Sequence, residues 1–298
     1  MAERLSRREV VKRSVVAPLA AAFAARASAA PVFRLGLVTY NVAKDWDLDT
    51  LLRLCSEAGY EAVEFRTTHA HGVERTLAPA ARAEVRRKCE AAGLRQTSLG
   101  SVCEFQSPDP AVVERNVADC REWVALARDI GARAVKVRPN GLPPDVPEEK
   151  TLDQIGRALA RCGAHAQEQG VEIWVEVHGE GTKLPPRMRR IMDACSHPSV
   201  GVTWNSNDTD VVSGSVAASF ELLRPFVRCA HITDLASGYP YRELFTLFDR
   251  AAFAGFTLCE YPKSVPAAEG ALWLKNYRAQ WQALREPLPD PTRVPPGK

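Results

Sequence analysis

Four polar residues close apolar, strand-like runs at near-constant spacing, and that recurrence points to a repeating β-α architecture. Glu176 ends Ile-Trp-Val-Glu, Asn205 ends Val-Thr-Trp-Asn, His231 ends Arg-Cys-Ala-His and Glu260 ends Thr-Leu-Cys-Glu. The steps between them are 29, 26 and 29 residues. A parallel barrel repeats strand plus helix at about that length and builds its active site where the strand C-termini converge. Two carboxylates, an amide oxygen and an imidazole meeting there would form an open divalent-metal site.

The rest of the chain follows the same alternation. Strand candidates fall at 33–40, 62–65, 96–102, 134–137, 172–177, 200–204, 227–232 and 257–260. They are short, rich in Val, Ile, Leu and aromatics, and show little polar alternation, as strands buried on both faces do. Helical patterns occupy stretches such as 48–58, 78–92, 111–130, 152–169 and 241–254. Asp109-Pro110 offers a cap and a first-turn proline to the third of these. Glycines 59, 93, 131, 170 and 255 stand between a helical pattern and the next strand, where a left-handed helix stop is expected. Eight strands alternating with eight helices predict an α/β fold, a single (β/α)8 TIM barrel over 32–285. The rival, an open doubly wound sheet, would carry a phosphate loop after its first strand, but Thr39-Tyr40-Asn41-Val42-Ala43 has no glycine pattern.

Composition narrows the function classes. With 298 residues and a net charge of +3 spread along helices, the chain lacks the clustered Lys/Arg face that nucleic acid requires. No apolar run reaches the roughly 18 residues of a membrane span. At the N-terminus, Ser6-Arg7-Arg8-Glu9-Val10-Val11-Lys12, an apolar stretch over 15–25 and Ala27-Ser28-Ala29 follow the order of a twin-arginine export signal. Cleavage near Ala29 is expected, giving a periplasmic or secreted protein. Residues 286–298 hold five prolines and are expected to form a solvated tail. The eight cysteines form no CxxC pair and mostly sit in helical or strand patterns, so free buried thiols are expected.

Each candidate residue has a second reading. Glu176, between Val175 and Val177, must be paired or bind metal, because an unpaired buried charge is very costly. Its structural partner would be Lys136 or Arg138, which share a face of the preceding strand and otherwise contact substrate. His231 alone reads as a core histidine, and Asn205 alone as a strand-end amide bonding its own backbone. Their joint occurrence at even spacing favours the metal site. Arg66, His69 and His71 follow the second strand, where they would bind substrate or, alternatively, form a Glu64–Arg66 pair with exposed loop histidines. Trp46, Trp204 and Tyr261 are candidates for stacking on a sugar ring or for packing.

With Glu-x-His on the fifth strand, Asx on the sixth, His-x-x-Asp on the seventh and Glu-Tyr on the eighth, the chain resembles the xylose-isomerase-like barrel superfamily. Within it, the sugar phosphate isomerase/epimerase group is the nearest match. The resemblance implies a divalent cation, Mn²⁺ or Mg²⁺ first and Zn²⁺, Co²⁺ or Fe²⁺ next, held by Glu176, Asn205, His231 and Glu260. It further implies Glu176 and Glu260 as acid/base groups on opposite faces of a sugar. His178 would touch a substrate oxygen, and Asp234 would orient His231 or the sugar. Barrels of this family often pair, so a homo-oligomer is implied, with a small carbohydrate as the substrate. The family usually carries Asp where this chain has Asn205. The ligand charge thus falls by one, which weakens metal affinity and leaves the cation more electrophilic.

The expected chemistry is metal-assisted isomerisation or epimerisation of a sugar or keto-sugar through an enediolate. The same start could expel a β-hydroxyl, which makes a lyase or dehydratase on 3-keto-sugars or glycosides the alternative. A non-catalytic periplasmic sugar-binding protein is the reading from a different class. No glycine-rich loop follows the seventh or eighth strand, so phosphate recognition has no support.

Overall fold

The computed structural model describes residues 33–286. The export signal and all but the first residue of the proline-rich tail therefore lie outside the described residues. Eight parallel strands close in chain order into a barrel: β1 Arg34–Val38, β2 Ala62–Arg66, β3 Gln96–Glu104, β4 Ala134–Arg138, β5 Glu172–Glu176, β6 Val200–Asn205, β7 Val227–Ile232 and β8 Phe256–Cys259. Closure is made by β1 pairing with β8, Leu37 opposite Cys259.

Nine helices occur among the described residues. A short α1, Tyr40–Ala43, precedes α2 Leu48–Ala58, α3 Pro79–Ala91, α4 Pro110–Ile130, α5 Glu148–Glu168, α6 Pro185–Cys195, α7 Ala217–Leu223, α8 Tyr241–Arg250 and α9 Ala267–Arg285. The Asp109 side chain caps α4 with Pro110 at its first turn, as the sequence predicts. None of these helices is long and apolar enough to cross a membrane.

Several boundaries differ from expectation: β3 runs on to Glu104, α5 begins at Glu148 and β8 ends at Cys259, and two further differences have clear local reasons. β1 stops at Val38 because α1 begins at Tyr40 and turns the chain over the barrel mouth. α8 ends at Arg250, with Ala252 rather than Gly255 in the left-handed region (φ 52°). Gly255 answers a different need: a Cβ there would lie 2.6 Å from the carbonyl oxygen of Arg228. The glycine lets the chain pass close under β7.

Most of the core lies between strands and helices, built from residues such as Leu37, Phe65, Leu99, Val135, Ile173, Val202 and Phe248. Inside the barrel a smaller apolar cluster, with Trp174, Ala62, Ala134, Cys229, Phe256 and Leu258, fills the lower layer. Strand side chains alternate in direction. Two positions above Ala62, Ala134, Trp174, Cys229 and Leu258 the same strands therefore present Glu64, Lys136, Glu176, His231 and Glu260. All eight cysteines are buried and free, as expected.

Candidate active site

This upper layer gathers charged side chains in the dry interior of the barrel. Glu64, Lys136 and His231 are fully buried, and Glu176, Asn205 and Glu260 nearly so. Glu176, His231 and Glu260 offer one ligand atom each, all within 4.8 Å of one another. The imidazole is central: its Nδ1 lies 3.5 Å from Glu176 Oε1 and 3.4 Å from Glu260 Oε2. Its other nitrogen, Nε2, meets Glu64 Oε2 at 3.3 Å.

Buried ions survive only when matched. Lys136 Nζ donates to Glu176 Oε2 at 2.6 Å, with neither side chain appreciably exposed. Burial opposes ionisation of Glu176, but Lys136 and His231 outweigh it and hold the carboxyl well below its usual range. Burial likewise opposes the charged form of His231, yet Glu260 and Glu64 hold its pKa well above that of free imidazole. In Glu64, too, His231 overcomes desolvation and lowers the pKa.

Above this floor opens a cavity of about 360 Å³ lined by Tyr40, Arg66, Arg138, Glu176, His178, Asn205, Ser206, Asn207, Thr233, Glu260 and Pro262. Its position at the C-terminal ends of the strands is where barrel active sites form. Asn207 braces one wall by donating from Nδ2 to the carbonyl of Val177. His178 has its Nδ1 buried without a hydrogen-bond partner, and burial depresses its pKa.

The remaining sequence candidates separate clearly. Lys136, expected among substrate contacts, lies beneath the cavity with no exposed surface, so its partner is Glu176, the ion-pair alternative raised from sequence. Asn205 turns Nδ2 toward Glu176 Oε1 at 3.4 Å and gives Oδ1 to the backbone N–H of Ser206 at 3.1 Å. Its oxygen therefore does not join the three-residue cluster in this rotamer. His69 bonds Thr39 Oγ1 at 3.0 Å through Nδ1 and is not among the residues lining the cavity. Asp234 does not reach His231: it caps the N–H of Ala236 and lines a separate cleft with Tyr261, Trp273 and Gln280. Trp46 and Trp204 are buried packing residues whose indole N–H groups bond Val265 O and Tyr239 Oη.

Glu64, which the sequence raised only as an alternative partner for Arg66, instead meets His231. The available signal was parity, since Glu64 shares the inward direction of Ala62 on β2. A carboxylate two residues above a barrel-lining alanine faces the strand-end histidine, not solvent.

An eight-stranded parallel barrel with carboxylate, imidazole and carboxylate meeting at its C-terminal mouth defines a TIM-barrel protein with a metal-type donor set. The chain belongs to the xylose isomerase-like TIM barrel family, which matches residues 52–277. None of the curated proteins matches the sequence. Among solved structures, D-psicose 3-epimerase from Clostridium cellulolyticum H10 with D-tagatose shares 11% identity at a TM-score of 0.68, covering 84% of this chain and 97% of that one. The probable 3-DHS dehydratase AsbF from Bacillus anthracis shares 13% at 0.63, covering 83% and 99%. The IOLI protein, solved with a zinc atom, shares 13% at 0.67, covering 85% and 96%. At such identities the likeness is one of fold.

Proposed function

We propose that the chain is a divalent-metal-dependent isomerase or epimerase of a sugar or keto-sugar, with Glu176 and Glu260 carrying protons. The observation that carries this reading is the buried His231 Nδ1. It has no hydrogen-bond partner, although two carboxylate oxygens lie 3.4 and 3.5 Å away. An orphaned imidazole nitrogen facing two carboxylates fits a cation between them. Glu176, His231 and Glu260 would hold it, joined by Asn205 once its amide turns over. Oxygen-rich ligation suits Mn²⁺ or Mg²⁺, and the imidazole admits Zn²⁺, Co²⁺ or Fe²⁺. When bound, the cation supplies electrostatic stabilisation for negative charge developing on neighbouring substrate oxygens.

The side chains do the rest. Lys136 keeps Glu176 ionised and fixed, so this carboxylate can accept the proton next to a substrate carbonyl. Glu260, just past the end of β8, faces the same His231 nitrogen from another strand end and is placed to return a proton from another direction. His178 presents its ring to the cavity for a substrate oxygen, and Tyr40 and Pro262 help close the mouth. The fold shared with sugar 3-epimerases supports the carbohydrate class. The fold shared with a probable dehydratase favours a second reading, in which the same proton abstraction is followed by loss of a β-hydroxyl.

Elemental analysis after dialysis against each cation tests the reading, beside a Glu176→Ala/Glu260→Ala variant. Near-stoichiometric metal in the parent alone supports it. Absence of metal from both, with cation in excess, removes the enzyme reading and leaves non-catalytic sugar binding. Export remains part of the proposal on the strength of Arg7-Arg8, the apolar stretch and Ala27-Ser28-Ala29. N-terminal sequencing of protein recovered from cell fractions tests it, an uncleaved cytoplasmic chain being the contrary result.

A further inference from the structure

Arg66 is held from four sides, yet its guanidinium grips nothing. Its backbone N–H donates to Thr39 Oγ1 at 2.9 Å, and its carbonyl accepts from His71 Nε2 at 2.9 Å. The Tyr40 ring lies 5.4 Å from its Cζ. Across the sheet Gly100, its register partner on β3, leaves room for the stem: a Cβ there would lie 2.6 Å from Arg66 Cδ and 2.9 Å from Glu64 Oε1. Against this preparation, the guanidinium makes no hydrogen bond among the described residues. Its Nε is buried without a partner, and the nearest carboxylate oxygen, on Glu260, stands 4.0 Å from Nη1. That separation is beyond hydrogen-bond reach.

The charges around the cavity otherwise match in pairs. Lys136 answers Glu176, Arg138 answers Glu104 at 2.5 Å, and His231 answers Glu64. Under the cation reading, Glu260 turns to the metal. Arg66 is then left as a largely buried cation without an anion, which is a costly arrangement unless a ligand completes it.

We propose that the substrate carries a carboxylate and that Arg66 receives it, which makes the substrate class a sugar acid. The proposal rests on the carbohydrate isomerase reading above and narrows it. A single enclosed guanidinium presents parallel N–H groups that match the two coplanar oxygens of a carboxylate. The same fork also fits a phosphoryl group, but phosphate sites usually add converging backbone amides, and no glycine-rich loop follows the seventh or eighth strand to supply them. Arg138 lines the same cavity, but Glu104 answers its charge, which leaves Arg66 as the guanidinium free to take the acid.

The test is calorimetric binding to the metal-loaded full chain, with D-fructose, its C6 acid D-fructuronate, and D-fructose 6-phosphate as probes. Parent, Arg66→Met and Gly100→Ala proteins are compared, with metal content measured on the same samples. The parent is expected to bind D-fructuronate about tenfold to hundredfold more tightly than D-fructose. Arg66→Met should bring that ratio near one, and Gly100→Ala should lower it by displacing the stem. Equal binding of acid and neutral sugar, a preference that survives Arg66→Met, tightest binding of the phosphate, or binding of no probe by metal-loaded parent would each overturn the proposal. In those cases retained metal leaves the cation reading standing. Loss of stoichiometric metal from the parent overturns both.

Discussion

Lys136 Nζ and Glu176 Oε2 stand 2.6 Å apart on adjacent strands, the lysine sealed inside the barrel and the carboxylate at the floor of the cavity. Neither charge is stable there alone. The pair also explains how a carboxylate at the active-site floor stays ionised in a dry environment, where burial alone would protonate it.

Replacing Lys136 with Met should therefore destabilise the fold by about 3–5 kcal/mol, because the unmatched Glu176 remains buried. Chemical denaturation checks this, with Lys136→Met/Glu176→Gln recovering a large part of the loss. Equal stability of the two variants would mean that the pair contributes little coupling.

Glu64 anchors His231 from behind. Glu64→Gln should weaken binding of Mn²⁺ by about tenfold to hundredfold, the usual effect of losing the carboxylate that orients a ligating imidazole. Titration calorimetry measures it. An unchanged affinity would show that Glu64 serves only charge balance.

Asn205 offers the cation an amide at best. Asn205→Asp adds a negative charge beside the cluster and should tighten Mn²⁺ binding by about tenfold or more, since ligand charge count tunes such sites. The same variant should destabilise the metal-free protein, because the new carboxylate faces Glu176 across the 3.4 Å contact that the amide now makes as a donor. Paired metal titrations and melting curves would reveal this exchange, and a variant with unaltered affinity would place residue 205 outside the coordination sphere.

The metal-free protein should have a bounded stability plateau. Glu176 is shifted below its ordinary 4.5, so its contribution is present above 4.5 and lost as pH falls through the lowered folded value. His231 is shifted above its ordinary 6.5, so its contribution is full below 6.5 and lost as pH rises through the raised folded value. Maximum stability should lie between about 4.5 and 6.5. Melting temperatures across pH, with chelator present, check the window, and a maximum above pH 8 would contradict it.

Asp210 supplies an independent pH effect. Burial pushes its carboxyl up to about 7, its Oδ1 has no partner, and its Oδ2 accepts from the Asn207 N–H and Tyr239 Oη. The protonated form stabilises the fold fully below 3.8, and that contribution is lost as pH rises through about 7. Asp210→Asn keeps an acceptor for both donors without the charge, so it should gain roughly 1–3 kcal/mol at pH 8 and little at pH 5. Denaturation at the two pH values decides it.

Much of this was legible in the sequence because barrel strands and amphipathic helices leave local signatures. The eight strands appear as short apolar runs, and Gly59 and Gly131 stop their helices in the left-handed conformation as the pattern implied. Glu176, His231 and Glu260 were found because a strand end repeats at fixed spacing around a closed barrel.

Local pattern alone determined the barrel, its order and three of the residues at its mouth, since period and spacing are properties of consecutive residues. Partnership was decided only when the sheet closed. Of the alternatives open for Lys136, closure chose the pair with Glu176; it set Glu64 against His231 rather than Arg66, and it placed Asp234 at a separate cleft. Such choices depend on inward parity, on register between strands distant in sequence, and on how a dry interior forces every buried charge to find its opposite. The same closure left the braced Arg66 guanidinium without a hydrogen bond and 4.0 Å from its nearest carboxylate, on Glu260, a relation that only the assembled cavity shows.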